Sequence, residues 1–167
     1  MKRKKPLIIV IIVVVIVCAV LYLLSGGGKV SYIRKASGFD IRGCKILKDT
    51  DTHGGFLGDG EYILIADCRE NPQSPENLKG WKELPLTENI RMMMYGGAKD
   101  GVEYGFELAE HAGIPYIEKG YYYFENRHPD AEDRESDEDI FDLVSFNFTL
   151  ALYDSEADMF YFYEFDT

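Results

Sequence analysis

The sequence predicts an α+β fold: an N-terminal transmembrane helix followed by a mainly antiparallel β-sheet domain with two short helices. Three observations predict it. Nineteen uncharged residues, Pro6 to Leu24 (PLIIVIIVVVIVCAVLYLL), follow a basic cluster. From Val30 onward, apolar and polar residues alternate with period 2 between closely spaced turn residues. Helix start and stop signals are confined to the middle of the chain.

Taken in order, residues 1–5 form a basic tail through Lys2, Arg3, Lys4 and Lys5. Positive charge flanking a span is retained in the cytoplasm, so the tail is expected inside and the chain beyond the span outside. At about 1.5 Å per residue, residues 6–24 just cross a hydrocarbon core of about 30 Å. In lipid, every backbone group must be bonded within the segment, which makes a helix the only choice. A cleaved signal peptide would have a shorter apolar core and small residues at its cleavage site, whereas Ala19-Val20-Leu21 lies inside the run. Cys18 follows Val17 rather than a small residue, which argues against a lipidated cysteine. Residues 25–29, with Ser25-Gly26-Gly27-Gly28, read as a flexible tether. Residues 30–167 are then an acidic extracytoplasmic domain.

Arg42 to Lys48 and Glu61 to Cys68 read as strands about a glycine-rich connection centred near Phe56. Cys44 and Cys68 are equidistant from that centre. Paired as a hairpin, they stand opposite each other at a Cα separation of about 4.5–5.5 Å, which a disulfide accepts. A slip of one residue would put the two sulfurs on opposite faces of the sheet. Cys18 is expected to stay a free thiol. Ser74-Pro75-Glu76 opens one short helix, and Thr87-Glu88 opens another that ends at Gly96-Gly97. Between them, Trp81 reads most simply as a core anchor. Met92-Met93-Met94 suits either gap-filling in a core or an adaptable contact surface.

Gly120 to Phe124 is a further aromatic strand, and Asp130 to Asp142 (DAEDRESDEDIFD) reads as a solvated loop held open by self-repulsion. The C-terminus is a hairpin. Phe146, Phe148, Leu150 and Leu152 alternate with Asn147, Thr149, Ala151 and Tyr153, and Asp154 to Ala157 turns the chain into Met159-Phe160-Tyr161-Phe162-Tyr163. The return strand is aromatic on both faces, so its second face must be covered or left sticky.

The formal charge of -11 excludes a nucleic-acid grip built on phosphate neutralisation. The segment from Asp49 to Glu61 approaches a calcium loop, with acids at positions 1 and 3 and Gly54 at position 6. It departs at position 5, which is His53, and at position 12, where Gly60 displaces the expected acid to Glu61. Calcium is therefore a possible ligand and no other cofactor is implied. The acidic run offers a second calcium candidate, without a glycine to shape a cage. His53, His111 and His128 show no zinc-ligand spacing, and no serine sits in a nucleophile elbow. Asp49, Asp51, His53, Asp59 and Glu61 are the candidate site loop, in which His53 with Asp51 or Asp59 would supply acid–base chemistry. Trp81, Met92, Met93, Tyr121 and Tyr123 are the candidate contact surface.

His53 to Gly60, Trp81 to Leu86, Gly120 to Phe124 with Arg127, and Ser145 to Asp154 resemble stretches of a group of small, uncharacterised membrane-anchored or exported proteins of Gram-positive bacteria. The resemblance runs from about Asp49 to the C-terminus. It implies a bacterial membrane-associated domain and transfers no residue role. The expected function is a membrane-anchored binding domain for a protein or cationic ligand. A small extracytoplasmic hydrolase centred on His53 and an immunity-type inhibitor of a secreted toxin are the alternatives.

Overall fold

The computed structural model describes the backbone of residues 4–24, 27–54, 58–99 and 101–167. Most of the basic tail, Ser25 and Gly26 of the expected tether, and Gly55 to Leu57 in the glycine-rich connection lie outside the described residues. The chain is α+β. A six-stranded sheet has the order β1-β2-β8-β7-β6-β3, every neighbouring pair antiparallel. Its strands are β1 (Lys45–Asp51), β2 (Gly60–Asp67), β3 (Trp81–Glu83), β6 (Gly120–Asn126), β7 (Asn147–Asp154) and β8 (Met159–Asp166). A separate small hairpin joins β4 (Gly97–Lys99) to β5 (Val102–Tyr104).

The four α-helices are α1 (Lys4–Leu24), α2 (Gly27–Ser37), α3 (Glu88–Tyr95) and α4 (Leu108–Ala112). Side chains of α1 are described for residues 8–18, 20 and 21. Among the described residues no helix is long and apolar enough to cross a membrane. Two helical expectations change. The segment opened by Ser74 is a single 3₁₀ turn, Pro75–Asn77, and the expected tether is already helical from Gly27. The glycine pair that starts α2 is a weak helix former, and packing supplies what propensity lacks. Ile33 is fully buried beneath it and Arg34 and Lys35 suit its C-terminal dipole.

The central strands β7 and β8 are buried on both faces, which decides the rest. Phe160, Phe162, Ala151 and Tyr153 project to one side, where Ile33, Phe39, Ile41 and Trp81 cover them. Phe39 stacks on Phe160 with ring centroids 4.3 Å apart, and the Trp81 Nε1–H donates to the Ser37 carbonyl at 2.7 Å, closing the end of α2. Tyr161, Tyr163, Phe148, Leu150 and Leu152 project to the other side, beneath Ile90, Met93 and Met94 of α3 and Ala109 and Ala112 of α4. Burying each large apolar side chain contributes about 1.5–3 kcal/mol.

The packing bears on three expectations. Trp81, Met92 and Met93 are buried in the core and leave only the half-buried Tyr121 and Tyr123 of the expected contact surface. The acidic run stays largely exposed but is pinned to the domain: Ile140 is fully buried, and the buried Asp137 accepts a 2.6 Å hydrogen bond from the Thr87 hydroxyl at the start of α3. The second face of the return strand is covered, the first of the two outcomes its sequence allows.

The β1–β2 pairing begins with Lys45 opposite Asp67 and Ile46 opposite Ala66, the register of a hairpin symmetric about position 56. A bulge at Leu47 then shifts it by one, so that Asp51 stands opposite Tyr62. Just outside the first pair, Cys44 and Cys68 are joined by a disulfide with a Cα separation of 4.3 Å. At the head of β6, Gly120 has φ +146, and a Cβ there would lie 1.9 Å from the Tyr153 carbonyl oxygen.

None of the described α1 side chains joins either core, so residues 27–167 should fold alone, with a strand-dominated circular dichroism spectrum. In urea denaturation of that fragment, Gly120→Ala should lower stability by about 3 kcal/mol through overpacking and backbone strain. The double change Cys44→Ser, Cys68→Ser should lower it by about 3 kcal/mol through loop-closure entropy. A midpoint unchanged in either variant would contradict the packing or the cross-link.

Candidate functional site

Where α2 begins, it stands away from the end of the sheet and leaves a cleft of about 570 Å³. Gly28, Lys29 and Tyr32 line it from α2, Asp49 and Asp51 from β1, and Tyr62 from β2. Glu164 and Asp166 line it from β8, with His53 and Arg127 just beyond β1 and β6. Strand periodicity assembles the floor. Tyr62 pairs with Glu164 and Gly60 with Asp166, so both carboxylates, two residues apart, share the face that α2 covers.

Asp166 is the hub. Its Oδ2 lies 2.9 Å from Arg127 Nη2 and 3.0 Å from His53 Nε2, so it collects a partner from beyond each flank of β8. Arg127 Nη2 also donates to the Phe148 carbonyl at 3.0 Å, while its Nε–H is buried without a partner. The other ring nitrogen of His53, Nδ1, lies 2.8 Å from Asp51 Oδ1, which also accepts the His53 backbone N–H at 3.0 Å. Lys29 pairs with Asp49 across the mouth. Glu164 is 4% exposed and accepts two hydroxyl hydrogen bonds, from Tyr32 at 2.6 Å and Thr149 at 3.0 Å. Among the described residues it has no ion pair, since the nearby His53 and Arg127 side chains are engaged by Asp166.

These contacts shift titration. Burial pulls the His53 pKa down, but its bonds to Asp51 and Asp166 and their charges outweigh it and hold the imidazole above its ordinary value. The His53 bond in turn holds Asp51 below the usual carboxylate range. Burial, reinforced by the charges of Asp51 and Glu164, pushes the Tyr62 hydroxyl up to about 12. Burial and the Glu164 bond push Tyr32 higher still.

The five candidate loop residues separate. Asp49, Asp51 and His53 enter the cleft. Glu61 lies on the opposite face of the sheet, 3.1 Å from His111 Nε2, because successive strand residues point to opposite sides. Asp59 is exposed and does not line the cleft. The calcium-like spacing therefore does not converge, and among the described residues no three acids, histidines or cysteines group as metal ligands. In the acidic run, Asp139 accepts the Asn126 side-chain amide at 3.2 Å and the Glu132 backbone N–H at 3.1 Å, so its carboxylate serves the loop's own structure. As an imidazolium, His53 donates to a carboxylate from each nitrogen and has no free position for proton transfer.

Tyr32, Tyr62, Arg127, Glu164 and Asp166 escaped the sequence reading. A signal existed for two of them: Glu164 and Asp166 are charges at alternate positions of an otherwise aromatic strand, MFYFYEFD. Arg127 and Tyr32 had none, since only folding brings them there.

No protein-family model matches the chain, and no curated protein or solved structure matches it. The site's meaning therefore rests on its own geometry. The His53–Asp51 pair sets a pH window. The raised His53 pKa contributes stability that is complete below 6.5 and lost as pH rises through the folded value. The depressed Asp51 pKa contributes stability that is complete above 3.8 and lost as pH falls through its folded value. Thermal unfolding of wild type and His53→Gln should differ most between those limits and converge toward alkaline pH. A gap that widens above neutrality would contradict the assignment.

Proposed function

We propose that this chain is a single-pass membrane protein that displays an extracytoplasmic binding domain, with the cleft between α2 and the end of the sheet as its recognition site. The apolar run from Pro6 to Leu24 behind Lys2 to Lys5 supports the anchor and its orientation. The Cys44–Cys68 disulfide suits an oxidising compartment. The observation that carries binding over catalysis is the double tethering of His53, which leaves no free imidazole beside the cleft. The lining residues also offer no serine, threonine or cysteine for covalent catalysis. The excess of carboxylates favours a ligand or partner with a cationic group and discourages anionic lipid.

Protease added to intact protoplasts should remove residues beyond the anchor, while the same protease on lysed cells serves as the control. Survival of the full-length protein in protoplasts alone would overturn the topology. Affinity capture of the full chain from membranes should bring down a stoichiometric partner or ligand. Loss of a cellular phenotype on His53→Ala, with the fold and that capture intact, would favour the hydrolase instead.

A further inference from the structure

His53 is the variable member of the cleft's charges. Asp49 and Asp51 face it from β1 and Glu164 and Asp166 from β8, with Lys29 on α2 and Arg127 beyond β6. The two tyrosines stay neutral at physiological pH, Tyr62 being pushed up to about 12 and Tyr32 higher still. With an imidazolium at His53, the cleft holds four carboxylates against three cations. With a neutral imidazole it holds four against two, and the ring keeps one N–H for its two carboxylate neighbours. Further positive charge in the cleft therefore competes with the proton on His53.

Space and unused acceptors are present for that charge. A volume of about 570 Å³ lies within the ~300–1,000 Å³ of small-molecule sites. Each aspartate spends one oxygen on the cleft's own partners: Asp49 Oδ2 on Lys29, Asp51 Oδ1 on His53, and Asp166 Oδ2 on both His53 and Arg127. The second oxygen of each accepts no hydrogen bond among the described residues. All three side chains reach solvent, Asp49 and Asp166 at 22% exposure and Asp51 at 62%. Behind them Glu164 is buried without a counter-charge, and positive charge brought near it is favourable.

We propose that this cleft binds an aliphatic diamine of the polyamine class in exchange for the proton on His53. The proposal rests on reading the cleft as a binding site and names the ligand class. Two ammonium groups match the charge that a neutral His53 leaves, whereas one leaves a carboxylate unanswered. Their N–H groups donate to the free aspartate oxygens, which a quaternary ammonium cannot do. The methylene chain between them suits the Tyr32 ring, which is 46% exposed where it lines the cleft. The released proton passes to solvent, and the imidazole keeps one carboxylate contact as a donor. A divalent metal carries the same charge but needs oxygens that converge, and among the described residues no three acids, histidines or cysteines do so.

The test is calorimetric titration of the full chain in maltoside micelles with 1,4-diaminobutane, butylamine and magnesium chloride, each in two buffers of different ionisation enthalpy. At about pH 8 the diamine should bind at least about tenfold tighter than butylamine or magnesium. Towards about pH 6 its affinity should fall by up to about tenfold per unit, and the two buffers should report up to about one proton released per diamine. Asp51→Asn should weaken diamine binding about tenfold. His53→Gln should abolish the pH slope, and Glu138→Gln, in the acidic run outside the cleft, should alter neither affinity nor slope. Should His53→Gln fail to fold, the proton count on the wild-type chain still decides the exchange. Diamine binding at about pH 6 without proton release, equalled by butylamine or magnesium, or weakened as much by Glu138→Gln as by Asp51→Asn, would overturn the proposal. If no probe binds while protease still removes the domain and a partner still copurifies, the diamine falls and the binding reading stands.

Discussion

A β-hairpin that is apolar on both faces has to be covered twice, and the β7–β8 hairpin imposes that condition on this chain. Its inward and outward side chains are nearly all buried, so neither face can meet water. Helices α3 and α4 with Ile114, Ile117 and Ile140 close one side. On the other, α2 supplies little apolar surface of its own, and Phe39, Ile41 and Trp81 complete the cover. The anchoring of Trp81 to the last carbonyl of α2 ties that helix to the strand edge β3. Without this cover, a weak helix former that opens on two glycines would have no reason to persist.

The same strand sets up the cleft. Strand β8 stays aromatic through Tyr163 and then carries two acids where the cover thins, Glu164 and Asp166. Asp166 answers by drawing in Arg127 from beyond β6 and His53 from beyond β1, so one carboxylate binds together chain segments on both sides of the central hairpin. Such a network has few degrees of freedom left. That rigidity suits recognition, where groups are held ready for a partner, and works against proton transfer by His53, whose nitrogens are already committed.

Position along the chain gives the cleft its setting. The β1–β2 hairpin is clamped at one end by the Cys44–Cys68 bond and opens at the other onto Asp49, Asp51 and His53. The bulge at Leu47 lies between, and it gives the edge strand an irregularity that discourages pairing with another chain. Helix α2 brings Gly28 and Lys29 to the same mouth only a few residues after the apolar run ends. The apolar run, helix α2 and the first strand of the cleft thus succeed one another within the first third of the chain, and its last strand completes the cleft.

Local periodicity and turn chemistry determined the sheet. Alternation across Phe146 to Tyr153, the turn residues after it and the glycine boundaries of α3 are properties of neighbouring residues, and they suffice for the antiparallel pairing of β7 with β8 and for a helix from Glu88 to Tyr95. The tertiary structure alone decided where Met92 and Met93 point, because a methionine run suits a core and a surface equally. It alone turned Gly27 to Ser37 into a helix, since the strand partners of Ile33 come from distant parts of the chain. It also divided the candidate loop, sending Asp51 and Glu61 to opposite faces although both flank one connection. And it alone made the cleft: Tyr32, Arg127 and Glu164 are separated by nearly the whole domain in sequence, and charge recognition depends on distance in space.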